Sequence, residues 1–297
     1  MNTIVKYRNG NALIELFDDG TRVIQYEDVL KLDYPLNIDI RVSTKCSLGY
    51  NPKTNKSVCE FCHESARTDG RECNYASLKE KLINLPKGIE LAIGVNQYTQ
   101  NLEDFIFWCD TQRFVVNLTV NQLLLPKIKN EVVSLLENEL IRGLGISYRK
   151  DYCLDVSEYD EYFVNHPNVV LHVIAGVDTV NDILMTPYKK ILILGYKKFG
   201  RGIDYYNENV EKNIQQWYWW VKKLIDSKEV VSFDNLALEQ LNVKRFLSDE
   251  KWEEFHQGER SLYINAVDRY FAPSSRSNEK TPWNNITVCK YFQKNIL

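Results

Sequence analysis

From residue 37 onward the chain alternates short apolar runs with longer stretches of helical periodicity. Apolar runs bounded by polar residues are typical of buried strands, and apolar residues three and four apart are typical of helices. The predicted strands cover residues 37–43, 89–95, 113–119, 141–147, 168–175 and 189–196. The predicted helices between them cover residues 75–85, 102–111, 125–139, 157–165 and 180–185. This alternation predicts βα units on a parallel sheet, either curled into an open barrel or left doubly wound.

Two further regions flank the alternation. Residues 1–30 predict a β-hairpin, because two apolar-alternating runs enclose the turn sequence Asp18-Asp19-Gly20. Beyond the sixth strand the sequence predicts an aromatic helix at 206–225, a seventh strand and short helix within 229–241, and a helix at 247–257. A last strand at 261–267 follows, and then a polar loop at 271–284 that could form a lid. We therefore predict a hairpin at 1–30, a central α/β unit at 31–226, and an α/β extension at 227–297 that packs on it.

Composition and charge narrow the range of functions. Hydrophobic residues make up 44% of the 297 positions, which is enough for a large core and argues against disorder. The formal charge of −3 provides no basic field, so nucleic acid is not an evident partner. No apolar run approaches the roughly 20 residues of a membrane span, and the first residues lack an apolar signal core. We expect a cytoplasmic protein that does not bind membranes.

The cysteines are unevenly placed. Four of the seven lie between Cys46 and Cys73, whereas Cys109, Cys153 and Cys289 stand alone and are expected to be small buried residues. Cys46 follows the first predicted strand, and after twelve polar-rich positions Cys59 and Cys62 arrive together. Clustered thiols in a chain that needs no disulfides more often bind metal than pair with each other. The sequence therefore predicts a soft metal centre at one end of a strand.

Three chemistries are open for these thiols. Three thiolates are the usual protein ligands of a [4Fe–4S] cluster that keeps one iron open, which here would be Cys46, Cys59 and Cys62. With Cys73 as a fourth thiolate, or His63 as a substitute, they would form a closed zinc site in a non-catalytic α/β binding module. A nucleophile formed by Cys46 or Cys62 with His166 or His172 is the third possibility.

The pattern resembles the radical S-adenosylmethionine enzymes. In that family three cysteines follow the first strand of a partial (βα)6 TIM-like barrel and hold a [4Fe–4S] cluster, whose open iron binds S-adenosylmethionine. The spacing here is twelve and two residues, where the commonest family spacing is three and two. The resemblance implies reductive cleavage of S-adenosylmethionine to a 5′-deoxyadenosyl radical, an electron donor of the flavodoxin or ferredoxin type, and hydrogen abstraction from an unknown substrate.

The resemblance also implies which residues contact S-adenosylmethionine. Phe61, just before the last cysteine, is similar to an aromatic residue that packs near the adenine. Gly94, Asn96 and Gln97 stand where the family carries a glycine-rich turn with an acid, which is missing here. The remaining family-like positions, at or near the ends of strands three, four and five, are Asn117, Ser147 and Ile174.

Residues that would contact the substrate are less defined. Side chains expected near strand ends are His172, Tyr148, Arg149, Lys197, Lys198 and Arg201, with Asp234 and Asn235 after the seventh strand. The segment at residues 195–202 interleaves glycines with basic and aromatic residues. Such a segment could bind an anionic group of the substrate or cofactor, or could be a flexible basic loop.

Overall fold

A computed structural model describes residues 2–149, 161–253, 260–284 and 286–296. The chain begins with an antiparallel sheet of three strands, β1 (Thr3–Asn9), β2 (Ala12–Phe17) and β3 (Arg22–Gln25). The predicted hairpin corresponds to β2 and β3, and β1 is an additional strand. The sequence of β1 shows little apolar alternation, because only Tyr7 and Asn9 of its seven residues are buried.

The second sheet is large and mostly parallel, which confirms the predicted α/β class at that level. Its parallel strands in chain order are β4 (Asn37–Arg41), β6 (Glu90–Val95), β7 (Val115–Asn121), β8 (Gly143–Ser147), β9 (Val169–Ile174), β10 (Lys190–Leu194), β11 (Val230–Phe233) and β12 (Ser261–Asn265). The spatial order is β11-β10-β9-β8-β7-β6-β4-β12, followed by the antiparallel strands β13 (Tyr270–Ala272) and β14 (Thr281–Pro282). The six predicted strands are thus consecutive neighbours in the sheet.

Strands β11 and β12 belong to this sheet, although the sequence analysis assigned them to an extension packed on its outside. β12 pairs in parallel with β4, matching Ser261 to Asn37 and Asn265 to Arg41. The loop predicted at 271–284 also contributes, since its two ends lie in β13 and β14. The last part of the chain therefore completes the sheet beside its first parallel strand.

Helices alternate with the strands as predicted, and five of the ten described helices begin after a polar residue whose side chain accepts a hydrogen bond from the first turn. Those capping residues are Asn74, Thr99, Thr179, Asn207 and Asp234. The helices are α1 (Tyr75–Leu82), α2 (Gln100–Thr111), α3 (Lys129–Glu137), α4 (Glu161–Asn165), α5 (Val180–Met185), α6 (Gly202–Tyr205), α7 (Glu208–Ser227), α8 (Asn235–Gln240), α9 (Asp249–Glu253) and α10 (Val288–Ile296). The start of the helix predicted at 157–165, the end of that at 247–257, and Cys153 lie outside the described residues. Within the described ranges no helix is both long and apolar enough to span a membrane.

The two faces of the parallel sheet differ in chemistry. In β7 the side chains of Val116, Leu118 and Val120 are buried, whereas Asn117 and Thr119 on the opposite face are only half-buried. Apolar residues alternate in the same way in β4 and β6, so one face forms the core under the helices. The other face is polar and lined by small residues, which leaves space over it.

The sheet is strongly curved. In a flat sheet β4 and β10 would be about 24 Å apart, because five strand spacings separate them. Instead Asp39 of β4 interacts electrostatically with Lys197 and Asp234, which follow β10 and β11. The polar face is therefore concave, and the carboxyl ends of its strands surround a common space.

The long helix α7 covers one side of this arrangement. Trp217 is fully buried and donates a hydrogen bond from Nε1 to the carbonyl oxygen of Asp178 at 2.7 Å. Trp219 and Trp220 are 71% and 57% exposed, so the aromatic run is divided between core and surface. This division is expected for consecutive residues of a helix, which cannot share one face.

Candidate metal centre

Cys46 does not lie at the end of the first parallel strand. β4 ends at Arg41, and Cys46 is the second residue of a separate short strand, β5 (Lys45–Tyr50). The predicted strand was too long, because the apolar run 37–43 continues past Arg41, the last residue that pairs with a neighbouring strand. β5 begins the cysteine loop, defined here as residues 45–73, which leaves the carboxyl edge of the sheet and returns to it.

The cysteine loop is folded by its own main-chain hydrogen bonds. The amides of Val58 and Cys59 both donate to the carbonyl oxygen of Leu48, at 3.2 and 3.0 Å. Gly49 allows the two arms to approach closely, since a Cβ there would lie 2.4 Å from the carbonyl oxygen of Ala66. These contacts place Cys59 across from Cys46, although twelve residues separate them in the sequence.

A tight turn then carries Cys59 to Cys62. The amide of Cys62 donates to the carbonyl oxygen of Cys59 at 3.3 Å, and Ser65 continues the turn by donating to Cys62. Burial raises the pKa of the Cys59 thiol to about 11; the charge of Arg149 opposes this shift, and the thiolates of Cys62 and Cys46 add to it. The three predicted thiols are therefore neighbours.

Closeness is not the same as a formed metal site. Across residues 2–149, 161–253, 260–284 and 286–296, no three His, Cys, Asp or Glu side chains are arranged to hold a metal ion. The chemistry of the donor set fits an iron–sulfur cluster, since three thiols share one half-buried position at the sheet edge. Metal binding by Cys46, Cys59 and Cys62 stays a prediction.

Two polar side chains from the strand ends contact Cys59. Nη1 of Arg149 donates to Sγ at 3.4 Å, and Nδ2 of Asn121 approaches the same sulfur at 3.9 Å. The Arg149 guanidinium also lies 4.9 Å from the ring centroid of Phe61 and is buried. Arg149 was predicted as a substrate contact, but in the structure it belongs to the surroundings of the thiols.

Asn121, and not Asn117, occupies the end of β7. Asn117 is the third residue of that strand, and a Cβ on Gly143 would lie 2.7 Å from its Oδ1. The strand continues two residues beyond the predicted end at 119, so Asn121, on the same face as Asn117, is its last residue. The assignment of Asn117 to the cofactor site stays a prediction.

The glycine-rich segment 195–202 packs directly on the cysteine loop. Arg201 donates from Nη2 to the carbonyl oxygen of Cys59 at 3.0 Å and from Nη1 to that of Ala66 at 2.8 Å. Its amide donates to the carbonyl oxygen of Cys62 at 3.2 Å. Gly200, with φ of +52°, leaves room for the carbonyl oxygen of His63, which would lie 2.4 Å from a Cβ. Arg201 was expected to bind an anion, but its guanidinium holds loop carbonyls.

The turn after β6 also meets the loop. Nδ2 of Asn96 donates to the carbonyl oxygen of Ser43 at 3.1 Å, and Gly94 faces open space with no atom within 4 Å of a built Cβ. Gln97 lines a cavity of about 440 Å³ together with Lys45 and Ser47 of the cysteine loop. All three predicted residues of this turn therefore lie beside the thiol-bearing segment.

Ser147 and Ile174 end their strands, as predicted. Ser147 pairs with Asn121 on one side and His172 on the other. The amide of Ile174 donates to Oδ2 of Asp178 at 2.7 Å, and its carbonyl oxygen accepts from the amides of Val177 and Asp178. Both polar groups of the Ile174 backbone are thus engaged in the turn that follows β9.

Phe61 borders a second cavity, of about 450 Å³, on the other side of the loop. Val177, Arg149 and Tyr205 contribute to its walls, and the Phe61 and Tyr205 rings meet edge-on at 5.7 Å. The aromatic residue before the last cysteine therefore lies between the thiols and the turn after β9.

His172 lies inside the concave face rather than among the thiols. A Cβ on Gly145 would fall 2.2 Å from its Cε1, so the imidazole covers the glycine of the neighbouring strand. Burial lowers the pKa of His172 to about 4, which keeps the ring neutral. His166 precedes β9 and so lies at the amino edge of the sheet, opposite the cysteines. It is therefore not placed to activate a cysteine.

The other residues considered for zinc have separate surroundings. Cys73 is buried, donates its amide to the carbonyl oxygen of Val42 at 2.8 Å, and has Glu72 as its charged neighbour. His63 approaches Glu64, with 3.4 Å between Nε2 and Oε1. These partners do not favour a four-ligand site with Cys59.

No family model matches the sequence, and no curated protein shows significant similarity to it.

Proposed function

We propose that this protein is a radical S-adenosylmethionine enzyme in which Cys46, Cys59 and Cys62 bind a [4Fe–4S] cluster. The observation that carries the proposal is the grouping of these three thiols by the folded cysteine loop at the carboxyl edge of a curved parallel sheet. In such sheets ligands bind at the carboxyl ends of the strands. A cluster of this kind would supply the electron that cleaves S-adenosylmethionine and the open iron that binds it.

The fold supports the proposal through its curvature and strand order. The consecutive neighbours β4, β6, β7, β8, β9 and β10 would form the partial (βα)6 barrel that the family resemblance implies. β11 and β12 then extend the barrel at both edges. The concave polar face provides the enclosed space that a radical reaction requires, since water excluded from the site cannot quench reactive species.

Residues of this chain would bind and orient the cofactor. Gly94, Asn96 and Gln97 would border the methionine end, Ser147 the ribose, and Phe61 and Ile174 the adenine. Asn117 would be the strand-three contact, and Asn121 on the same face of β7 approaches Cys59. Arg149, with its cation near Cys59 Sγ, would stabilise the negative charge of a thiolate-bound centre.

An electron donor of the flavodoxin or ferredoxin type is part of the proposal. So is a cytoplasmic location, because compartments that keep thiols reduced also preserve such centres. The described cysteines are free thiols, as this requires.

Anaerobic reconstitution with iron and sulfide tests the proposal. The reconstituted protein should be brown, contain about four irons, and release 5′-deoxyadenosine from S-adenosylmethionine after reduction by dithionite. Cys59→Ala should abolish both properties, whereas Cys109→Ala, a buried cysteine of α2, should preserve them. A colourless protein containing zinc and forming no 5′-deoxyadenosine would refute the proposal.

A further inference from the structure

A cleft of about 240 Å³ opens on the concave face beneath the cysteine loop. Asp39 and Arg41 of β4, Gly94 of β6 and Tyr263 of β12 line it, and Lys197 closes it from the loop after β10. The cleft is smaller than the roughly 300–1,000 Å³ of pockets for drug-sized ligands, so it would admit a small molecule or one end of a larger one.

Two of the four charges around the cleft neutralise each other. Nε of Arg41 lies 2.8 Å from Oε2 of Glu64. Tyr263 donates its hydroxyl to Oε1 of Glu64 at 3.4 Å, and His63 lies at the same distance from that oxygen. This carboxylate is therefore already bound by protein groups.

Asp39 and Lys197 are left facing the cleft. Nζ of Lys197 is 3.3 Å from Oγ of Ser275, a neutral partner. In the part of the chain that the structure describes, no hydrogen bond or ion pair engages the Asp39 carboxylate. Asp39 is exposed, and the area that it exposes faces the cleft; Lys197 and Asp234 are the charged groups near its carboxylate.

A carboxylate that is exposed to the cleft and bonded to no protein group is available to a cation of the ligand. A ligand ammonium at Asp39 would provide that cation, and Lys197 would bind an anionic group at the other side of the cleft. A cleft that presents one negative and one positive group favours a ligand that carries both a positive and a negative charge over a ligand that carries only one of them.

We propose that this cleft binds a small zwitterion, with its ammonium group at Asp39 and its carboxylate at Lys197. This inference rests on the proposed function. The zwitterion, which belongs to the amino-acid class, would be the substrate or the end of the substrate that enters the sheet. Its position beneath the cysteine loop would bring the bound molecule next to the centre that initiates the reaction.

Binding of four probes to the full-length protein tests the inference. L-Alanine and 4-aminobutanoate carry both charges at short and long separation, and propionate and propylamine carry one each. Saturation-transfer NMR titrations should give at least one zwitterion a Kd about tenfold or more below those of the single-charge probes. Asp39→Asn and Lys197→Gln should each remove about this advantage, with unchanged thermal midpoints. Asp226→Asn and Lys212→Gln, on the exposed side of α7, make the same charge changes and should leave binding unaltered.

Equal binding of all four probes, or parental binding by both cleft variants, would overturn the inference. The inference would also be overturned if a protein that assembles its cluster and forms 5′-deoxyadenosine showed no saturable binding of a zwitterion. The proposed function would then stand. Charge-dependent zwitterion binding by a protein that assembles no cluster would instead refute the proposed function and support the cleft as a binding site.

Discussion

Arg201 donates two hydrogen bonds to the carbonyl oxygen of Cys59, from Nη2 at 3.0 Å and from Nε at 3.4 Å, across 142 positions of sequence. A third bond, from Nη1, reaches Ala66 at 2.8 Å. The loop after β10 therefore fixes the two arms of the cysteine loop from the far side of the concave face. The arrangement of the three thiols therefore depends on Arg201, which bears no metal-binding group.

Arg201→Lys should loosen the cysteine loop. A single ammonium cannot reproduce the forked geometry of the guanidinium, so the carbonyl oxygens of Cys59 and Ala66 lose charged donors and keep only neutral ones, such as the amides of Cys62 and Tyr50. We expect the free energy of unfolding to fall by about 1–3 kcal/mol in urea titrations. Iron incorporated on reconstitution should fall in the same variant.

Arg67→Lys is the matched control for that prediction. Arg67 lies on the same loop, but its ion pair with Asp69 is about half exposed on both sides, and exposed pairs contribute little. Equal loss of stability or iron in the two variants would contradict the role given to Arg201.

Gly145→Ala should destabilise the protein through His172. The added methyl group would lie 2.2 Å from Cε1 of the imidazole, so the ring or the strand must move. Overpacking of this kind costs about 1–3 kcal/mol, measurable by chemical denaturation. Gly94→Ala is the control, since no atom lies within 4 Å of its new methyl group.

The double variant Gly145→Ala/His172→Ala identifies the cause. Removing the ring should restore part of the lost stability, which gives a coupling free energy of about 0.5–3 kcal/mol between the two sites. Additive losses would mean that the glycine is needed for its backbone and not for the contact with His172.

Cys73→Ala should leave metal binding intact. Its sulfur lies in the core, and its loss should cost only about 1 kcal/mol of stability through the small cavity. Elemental analysis of the reconstituted variant should match the parent protein for iron. If the variant instead loses zinc that the parent binds, the four-thiolate site is correct and the cluster is not.

Tyr7→Phe should stabilise the protein, most strongly at alkaline pH. Among the described residues no group bonds the buried Tyr7 hydroxyl, so its removal should gain about 1 kcal/mol near neutrality. Burial raises the pKa of Tyr7 to about 12, so the folded state keeps the proton while the unfolded chain releases it above about pH 10.

The stability contributed by protonated Tyr7 is therefore complete below pH 10 and lost as the pH rises towards 12. The loss approaches about 3 kcal/mol only above pH 12, is about half of that at pH 11, and should be absent in Tyr7→Phe. Urea midpoints measured from pH 8 to pH 11 provide the comparison. Tyr26→Phe, at a residue that is 46% exposed, should follow the parent protein within about 0.5 kcal/mol.

The sequence predicted local structure well because local structure depends on nearby residues. Apolar runs located the central strands, and apolar residues three and four apart located the helices between them. The spacing of Cys46, Cys59 and Cys62 also indicated three neighbouring thiols, although it could not show the folded loop that groups them.

Features that depend on distant residues escaped prediction. Nothing near residues 261–265 shows that they pair with β4, because strand pairing across more than 200 positions leaves no local pattern. Strand ends are poorly defined by alternation, so β7 was predicted to end at 119 but continues to Asn121. A basic side chain does not reveal its acceptors, so nothing near Arg201 in the sequence shows that it donates to carbonyl groups.

The position of β12 beside β4 also governs the order in which the protein can be completed during synthesis. β4 and the cysteine loop leave the ribosome early, but one edge of β4 has no partner until residues 261–265 follow. A nascent chain thus carries an open strand edge next to its reactive thiols for most of its translation, and open edges promote association between chains. Slower initiation would space the nascent chains further apart on one messenger RNA and so reduce contacts between their open edges.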